Sequence, residues 1–200
     1  AVAISGTGEP NAIVAYKITD GTNQITSTGT VAGSGAISIP DIDASSLSDG
    51  TLTLIANLTD SAGNTGVSGT DTSIKDTITP TLNQVNISSN NTNNNSYAKT
   101  GDAVIISLNA SEPLSGLPAV TIGGNNADAV NNPSGNSYNA TRVMQAGDTQ
   151  GIIAFTISFS DAANNPGTTV TATTDSSSVI YDKTNPSVTL TSPNGGEFLK

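Results

Sequence analysis

The chain has 200 residues, 16 Asp plus Glu against 6 Lys plus Arg, and a formal net charge of −10. It has no Cys, His or Trp, which removes thiolate and imidazole metal centres, His-dependent catalytic triads and disulfide scaffolds. The acidity removes attraction to phosphate backbones and anionic membrane surfaces and leaves cations as the natural electrostatic partners.

Only 11% of residues are charged, and the polar mass is Thr, Ser and Asn with 20 Gly. Thr favours strands, and Asn, Gly and Ser favour turns, so the composition predicts an all-β chain of many short strands. The first strand-like run is Ala1-Val2-Ala3-Ile4. In the next, Val14, Tyr16 and Ile18 share one face and Lys17 points the other way. Leu52, Leu54, Ala56 and Leu58 then alternate with Thr53, Ile55 and Asn57. The Asn-rich run at 90–95 reads as a loop. Runs at 104–108 and 152–159 repeat the strand pattern. Turns recur about every 8–12 residues, which suits a β-sandwich of seven or so strands per repeat. No apolar stretch approaches the roughly 20 residues of a membrane-spanning helix. The chain starts inside a strand and ends at Glu197-Phe198-Leu199-Lys200 with no stop signal, as a piece of something longer would.

Self-comparison is the most informative step. Asp76-Thr77-Ile78-Thr79-Pro80 returns as Asp182-Lys183-Thr184-Asn185-Pro186. Thr59-Asp60-Ser61-Ala62-Gly63-Asn64 returns as Ser160-Asp161-Ala162-Ala163-Asn164-Asn165. A third pairing sets Glu9-Pro10-Asn11-Ala12-Ile13-Val14 against Thr100-Gly101-Asp102-Ala103-Val104-Ile105. The repeats therefore cover 1–79 and 80–185, and 186–200 opens a third copy with Pro186-Ser187-Val188-Thr189-Leu190-Thr191. Short linkers carrying Pro give semi-rigid joints.

The Asp-x-Ala-Gly-Asn loop and the Asp-Thr-x-x-Pro linker resemble those of the bacterial Ig-like repeats of large secreted adhesins. The resemblance covers about 185 residues, with Asn164 in place of the usual Gly of the second loop. It implies two tandem immunoglobulin-like β-sandwiches in an extended array, secreted or on the bacterial cell surface. The implied role is a stalk or extender whose neighbours are repeats of the same chain. Host or surface glycans and proteins would be met through other domains, and nucleic acid and membrane insertion play no part.

If each repeat is such a sandwich, entered at one pole and left at the other, acidic turns converge. The outgoing pole of the first repeat should hold Glu9, Asn11, Asp49 and Asp76, and that of the second Asp102, Asp148 and Asp182. Glu112 and Asp161 should lie at the incoming pole of the second repeat, facing the first across the joint. Crowded carboxylates repel; at an effective dielectric near 20, two charges 4 Å apart cost about 4 kcal/mol. Ca²⁺ reverses that sign, because it takes six to eight oxygen ligands in a tolerant geometry. The expectation is therefore Ca²⁺ at the joint and a similar site prepared at the next. Against this, Asp20, Asp60 and Asp161 stand in turn contexts where a carboxylate serves the turn by accepting backbone N–H bonds.

No catalytic set emerges, so the chain reads as a non-enzyme. Ser96-Tyr97-Ala98-Lys99 fits Ser-x-x-Lys but lacks the helix that would align it. Asp41-Ile42-Asp43 lacks the Gly and distal Glu of an EF-hand, and Lys17 points outward, away from any isopeptide partner. Two other classes stay open: a module binding glycan or host protein through the loops of the second repeat, and an accessory segment of a secreted enzyme.

Overall fold

The computed structural model describes residues 2–190. All regular structure among these residues is β, and no helix is long and apolar enough to cross a membrane. The chain divides into two units, Ala1–Ile78 and Thr79–Lys200.

Among the described residues the first unit has six strands: β1 (Val2–Thr7), β2 (Ile13–Thr19), β3 (Gln24–Thr30), β4 (Ala36–Ile42), β5 (Gly50–Thr59) and β6 (Gly69–Lys75). They form one sheet of order β3-β2-β5-β6 and a second of β1-β4. Alternation places Tyr16 and Ile18 of β2 and Leu52 of β5 on the face that meets Ile4 and Ile42 of the small sheet. Ala44 and Leu47, from the loop before β5, complete this buried cluster. Lys17 lies on the opposite face, paired across to Thr26 and Ile55.

The second unit has ten among the described residues: β7 (Leu82–Ser89), β8 (Tyr97–Ala98), β9 (Ala103–Ala110), β10 (Ala119–Ile122), β11 (Asn125–Asn126), β12 (Ala129–Ser134), β13 (Ser137–Val143), β14 (Gly151–Ile152), β15 (Phe155–Ser158) and β16 (Ile180–Tyr181). The sheet β12-β13-β9-β7 packs on strands paired as β11-β10-β15 and β14-β16-β8. This is the immunoglobulin arrangement, with β8 running parallel to β16 at the edge. Val104, Ile106, Leu108 and Tyr138 from one sheet meet Ile122, Phe155, Ile157 and Tyr181 from the other. The Tyr181 hydroxyl, fully buried, donates to the Gln145 carbonyl at 2.8 Å and meets the Thr100 hydroxyl at 2.7 Å. Tyr97 and Ala98 are strand, so Ser96 and Lys99 do not share a helix face.

The pairings align the two units strand for strand. β1 and β4 correspond to β9 and β13. β2, β3 and β6 correspond to β10, β11 and β16, and β5 corresponds to β14 with β15. Among the described residues, the first unit has no counterpart of β7, β8 or β12. Residues 186–190 take no regular structure and expose Val188 and Leu190. The remainder of the expected third-repeat opening lies outside the described residues.

Among the described residues, the buried cluster holds seventeen residues in the second unit and seven in the first. The first unit should therefore unfold at lower temperature. Ile106→Ala, at a fully buried site, should destabilise by about 2–5 kcal/mol and lower the upper transition. Ile4→Ala should lower the other. Calorimetry of the two variants checks the assignment.

Candidate metal centre

Strand register decides which acidic loops share an end. In the first unit β2 runs antiparallel to β5, with Ile13 opposite Thr59 and Thr19 opposite Thr53. β6 pairs Lys75 with Gly50. Asp49, just before β5, therefore lies at the end where β6 finishes. Glu9 and Asn11, just before β2, lie at the other end with the Asp60 loop. β2 alone spans about 20 Å at the usual rise per residue, so Glu9 and Asn11 are not beside Asp49. The expected convergence of the four is corrected. The antiparallel runs of β2, β5 and β6 put the segments before β2 and before β5 at opposite ends.

At the Asp49 end the carboxylates are held by neighbours. Asp49 Oδ2 accepts from the Thr77 amide (3.0 Å) and hydroxyl (2.7 Å), and Lys75 lies 3.6 Å from its other oxygen. The Lys75 ammonium also donates to the Leu47 carbonyl. Thr77 and Lys75 hold the Asp49 carboxyl below the usual carboxylate range. Asp76 Oδ1 accepts from the Ile78 amide at 3.0 Å, an Asx turn that shapes the segment leaving β6. Asp20, at the same end, accepts from the amides of Ser48, Asn23 and Thr22 at 2.6–2.8 Å, which depress its carboxyl strongly.

In the second unit Asp102, Asp148 and Asp182 do share an end. The Met144 amide donates to the Asp102 carbonyl, and the Asp182 amide to that of Ala98. Each carboxylate, however, is engaged by a different protein group. Asp148 takes a two-pronged pair of 2.8 Å bonds from Arg142 and a third bond from the Gln145 amide at 2.7 Å. Arg142 is 6% exposed, and its guanidinium holds the Asp148 carboxyl low while its own value is raised. Asp102 accepts from the Asn91 side chain at 2.7 Å and the Lys99 amide at 2.9 Å. Asp182 accepts from the Thr184 amide at 2.9 Å. Within either unit, no three carboxylates among the described residues approach closely enough to share an ion. Arg142 is the residue that sequence reasoning missed: a guanidinium, rather than a cation from solution, relieves the charge of Asp148.

The structure also corrects which residues are equivalent. Gln150, not Asp148, stands where Asp49 stands, each followed by a glycine of positive φ, Gly50 at 122° and Gly151 at 125°. The Gln150 side-chain oxygen accepts from the Lys183 amide (3.3 Å) and the Thr184 hydroxyl (3.0 Å), as Asp49 does from Thr77. Glu9-Pro10, between β1 and β2, corresponds to Glu112-Pro113, between β9 and β10. It does not correspond to the turn at Asp102. The two additional strands β7 and β8 shift the turn count, which sequence matching alone does not detect.

Glu112 and Asp161 lie in neighbouring loops at the end where β7 begins. Leu114 bridges to Asp161, and the Ser115 amide donates to the Ser160 carbonyl at 2.9 Å. The incoming chain is pinned there too: the Thr81 amide donates to the Ser111 hydroxyl at 3.0 Å, and the Ser111 amide to the Thr81 carbonyl at 2.8 Å. Asp161 is 1% exposed. Its two oxygens accept from the main-chain and side-chain nitrogens of Asn165, each at 2.8 Å. Burial opposes its ionisation, but the hydrogen bonds from Asn165, Ala163 and Asn164 outweigh it and hold the carboxyl low. The Asp60 loop repeats the device, with Asn64 donating from its amide (2.8 Å) and side chain (2.7 Å). Gly63 has φ 90° and Asn164 has φ 68°, so Asn replaces Gly where the left-handed region is required, the substitution that region best tolerates.

The all-oxygen donor set of these loops is that of Ca²⁺ rather than of zinc or copper.

No family model and no curated protein matches the chain. Solved structures do. One is the tetra-tandem repeat in the extending region of a large adhesion protein, at 24% identity and TM-score 0.39, covering 90% of this chain and 45% of that one. Another is a Ca²⁺-stabilized adhesin that helps an Antarctic bacterium reach out and bind ice, at 22% identity and TM-score 0.45, covering 92% of this chain and 44% of that one. This chain thus spans less than half the length of each.

Carboxyls held below their unfolded values stabilise the fold above about pH 4, and that contribution is lost as pH falls through the folded values. Melting temperature should stay level from pH 7 to about pH 4 and then drop. An unchanged melt at pH 3 would count against these hydrogen bonds. Arg142→Met, which leaves Asp148 buried without its partner, should destabilise by about 3–5 kcal/mol. Urea unfolding at pH 7 measures it.

Proposed function

We propose that this chain is part of the extending stalk of a bacterial surface adhesin, in which Ca²⁺ joins successive sandwich units. The proposed ligands are Asp76, Glu112 and Asp161, three oxygen donors suited to a hard cation. The observation that carries this reading is the pinning of the linker. Thr81 is tied to Ser111, the residue before Glu112, and Leu114 to Asp161. Asp76 is five residues before Thr81, within at most about 17 Å along an extended chain, and its Asx turn directs that segment. A cation there offsets the mutual repulsion of the carboxylates and stiffens the linker, which is the mechanical property an extender needs.

The aligned positions extend the reading to an array. Glu9 and Asp60 stand in the first unit where Glu112 and Asp161 stand in the second, and Asp182 stands where Asp76 stands. Each unit therefore carries one half of the ligand set at each end, and a head-to-tail array of such units would repeat one joint chemistry. In this reading Asp49, Asp102 and Asp148 belong to the loops that brace the joint, and Asn11 to the turn that presents Glu9. The role is structural rather than catalytic, and its place is outside the cell.

Calcium at 100 times its dissociation constant should stabilise the chain by about 2.7 kcal/mol. The shift is read as a rise in melting temperature over that in chelator. Asp76→Asn and Glu112→Gln should each remove most of it, while Asp20→Asn should keep it. Small-angle scattering should report a chain that becomes flexible when the ion is chelated. Equal melts and equal scattering with and without calcium would end the proposal.

A further inference from the structure

The four-stranded sheet of the first unit ends at β3. β11, which stands in the second unit where β3 stands in the first, also ends its sheet, so the edge position belongs to the fold. Among the described residues no strand pairs with the outer side of β3. The ladder to β2 fixes what that side offers. The Asp20 amide donates to the Asn23 carbonyl, and the Val31 amide to the Ala12 carbonyl. Between these two points Ile18 stands opposite Ile25 and Thr19 opposite Gln24, and hydrogen-bonded pairs alternate with non-bonded ones. Ile25, Ser27 and Gly29 therefore bond to β2, while Gln24, Thr26, Thr28 and Thr30 turn their amides and carbonyls outward.

Sheet edges are normally blunted by shortness, proline, charge or a covering segment. In the second unit β11 has only two residues, and β12 carries Pro133 and a register shift. The outer side of β7 is covered: the Val85 amide donates to the Thr174 hydroxyl and the Ile87 amide to the Ser177 hydroxyl. In the first unit β4 carries Pro40 and Asp41, and β6 carries Asp71 and Lys75. β3 has none of these devices. It is seven residues long, Gln-Ile-Thr-Ser-Thr-Gly-Thr, with no charge and no proline. The Asp20 carboxylate at its turn is committed to the amides of Ser48, Asn23 and Thr22.

We propose that β3 is a self-association edge whose occupant is the β3 of a second copy of this chain, antiparallel about a two-fold axis at Ser27. Self-complementarity selects this occupant. The axis sets Gln24 opposite Thr30 and Thr26 opposite Thr28, so every outward residue falls in a hydrogen-bonded pair that exchanges two main-chain bonds. Thr26 and Thr28 also form cross-strand side-chain pairs. Ser27 meets Ser27, and Ile25 lies beside Gly29, whose lack of a side chain leaves it room. Copies of net charge −10 repel each other, and along β3 they meet with no carboxylate on either strand. The contact is isologous and closes at the dimer. A single paired edge belongs to the weak, transient class of interfaces.

Sedimentation equilibrium of the whole chain tests this. The mass should rise from monomer toward dimer between micromolar and millimolar concentration and stop there. Added salt should strengthen the association, because it screens the repulsion. Ser27→Lys and Ser27→Glu, at an exposed position, should keep the wild-type melting temperature and each stay monomeric, since like charges would meet at the axis. An equimolar mixture of the two should dimerise. Ser27→Cys, in a chain without cysteine, should cross-link on oxidation about tenfold faster than Gln24→Cys, whose two copies lie about 20 Å apart in this register. A wild-type chain monomeric to millimolar concentration, association that weakens with salt, a charged variant that associates like wild type, a mixture that stays monomeric, or equal cross-linking of the two cysteine variants would each overturn the proposal.

Discussion

The loops of this protein are held by carboxylates that accept hydrogen bonds from main-chain amides of their own or adjacent loops. Asp20, Asp49, Asp60, Asp76, Asp161 and Asp182 all do so. An all-β chain with 20 Gly and little helix propensity has long connections whose N–H groups must find acceptors. An ionised carboxylate supplies several acceptor positions at one point, and such bonds are stronger than those between neutral groups. The high count of Asp is therefore consistent first with loop architecture.

The two units solve the same packing problem with different resources. The second closes its core between two full sheets and seats Tyr181 and Ile106 with no measurable exposure. The first covers a four-stranded sheet with only β1 and β4, and its buried cluster leans on Ala44 and Leu47 from a loop. Among the described residues, strands like β7, β8 and β12 occur in the second unit alone, and the buried cluster is larger there. The same difference sets Glu9 before β2 in the place of Glu112 before β10, rather than of Asp102 before β9.

Much of the strand pattern was legible because side chains alternate. The burial of Val14, Tyr16 and Ile18, the outward position of Lys17 and the loop at 90–95 all follow from period-two patterning and turn chemistry. The paired Asp60 and Asp161 loops were also legible, since Asp and Asn four residues apart are what the hydrogen-bonded turn needs. The grouping of Glu9 and Asn11 with Asp49 was not legible. It depended on which way β2 and β5 run, which only the pairing register fixes. The Arg142–Asp148 pair was missed because a lone Arg in an acidic chain reads as solvated surface until its burial is seen.

By itself, then, the amino-acid sequence determined the all-β class, the repeated linker and loop motifs, the oxygen-only donor chemistry and the lack of a His- or Cys-based reaction centre. These are local or compositional properties, set by side-chain type and spacing. The tertiary structure alone decided which carboxylates share an end and which of them are already satisfied by Arg142, Thr77 or Asn91. Those depend on register and on strand number. A shift of one strand moves a loop from one end of a sandwich to the other while leaving its own sequence unchanged.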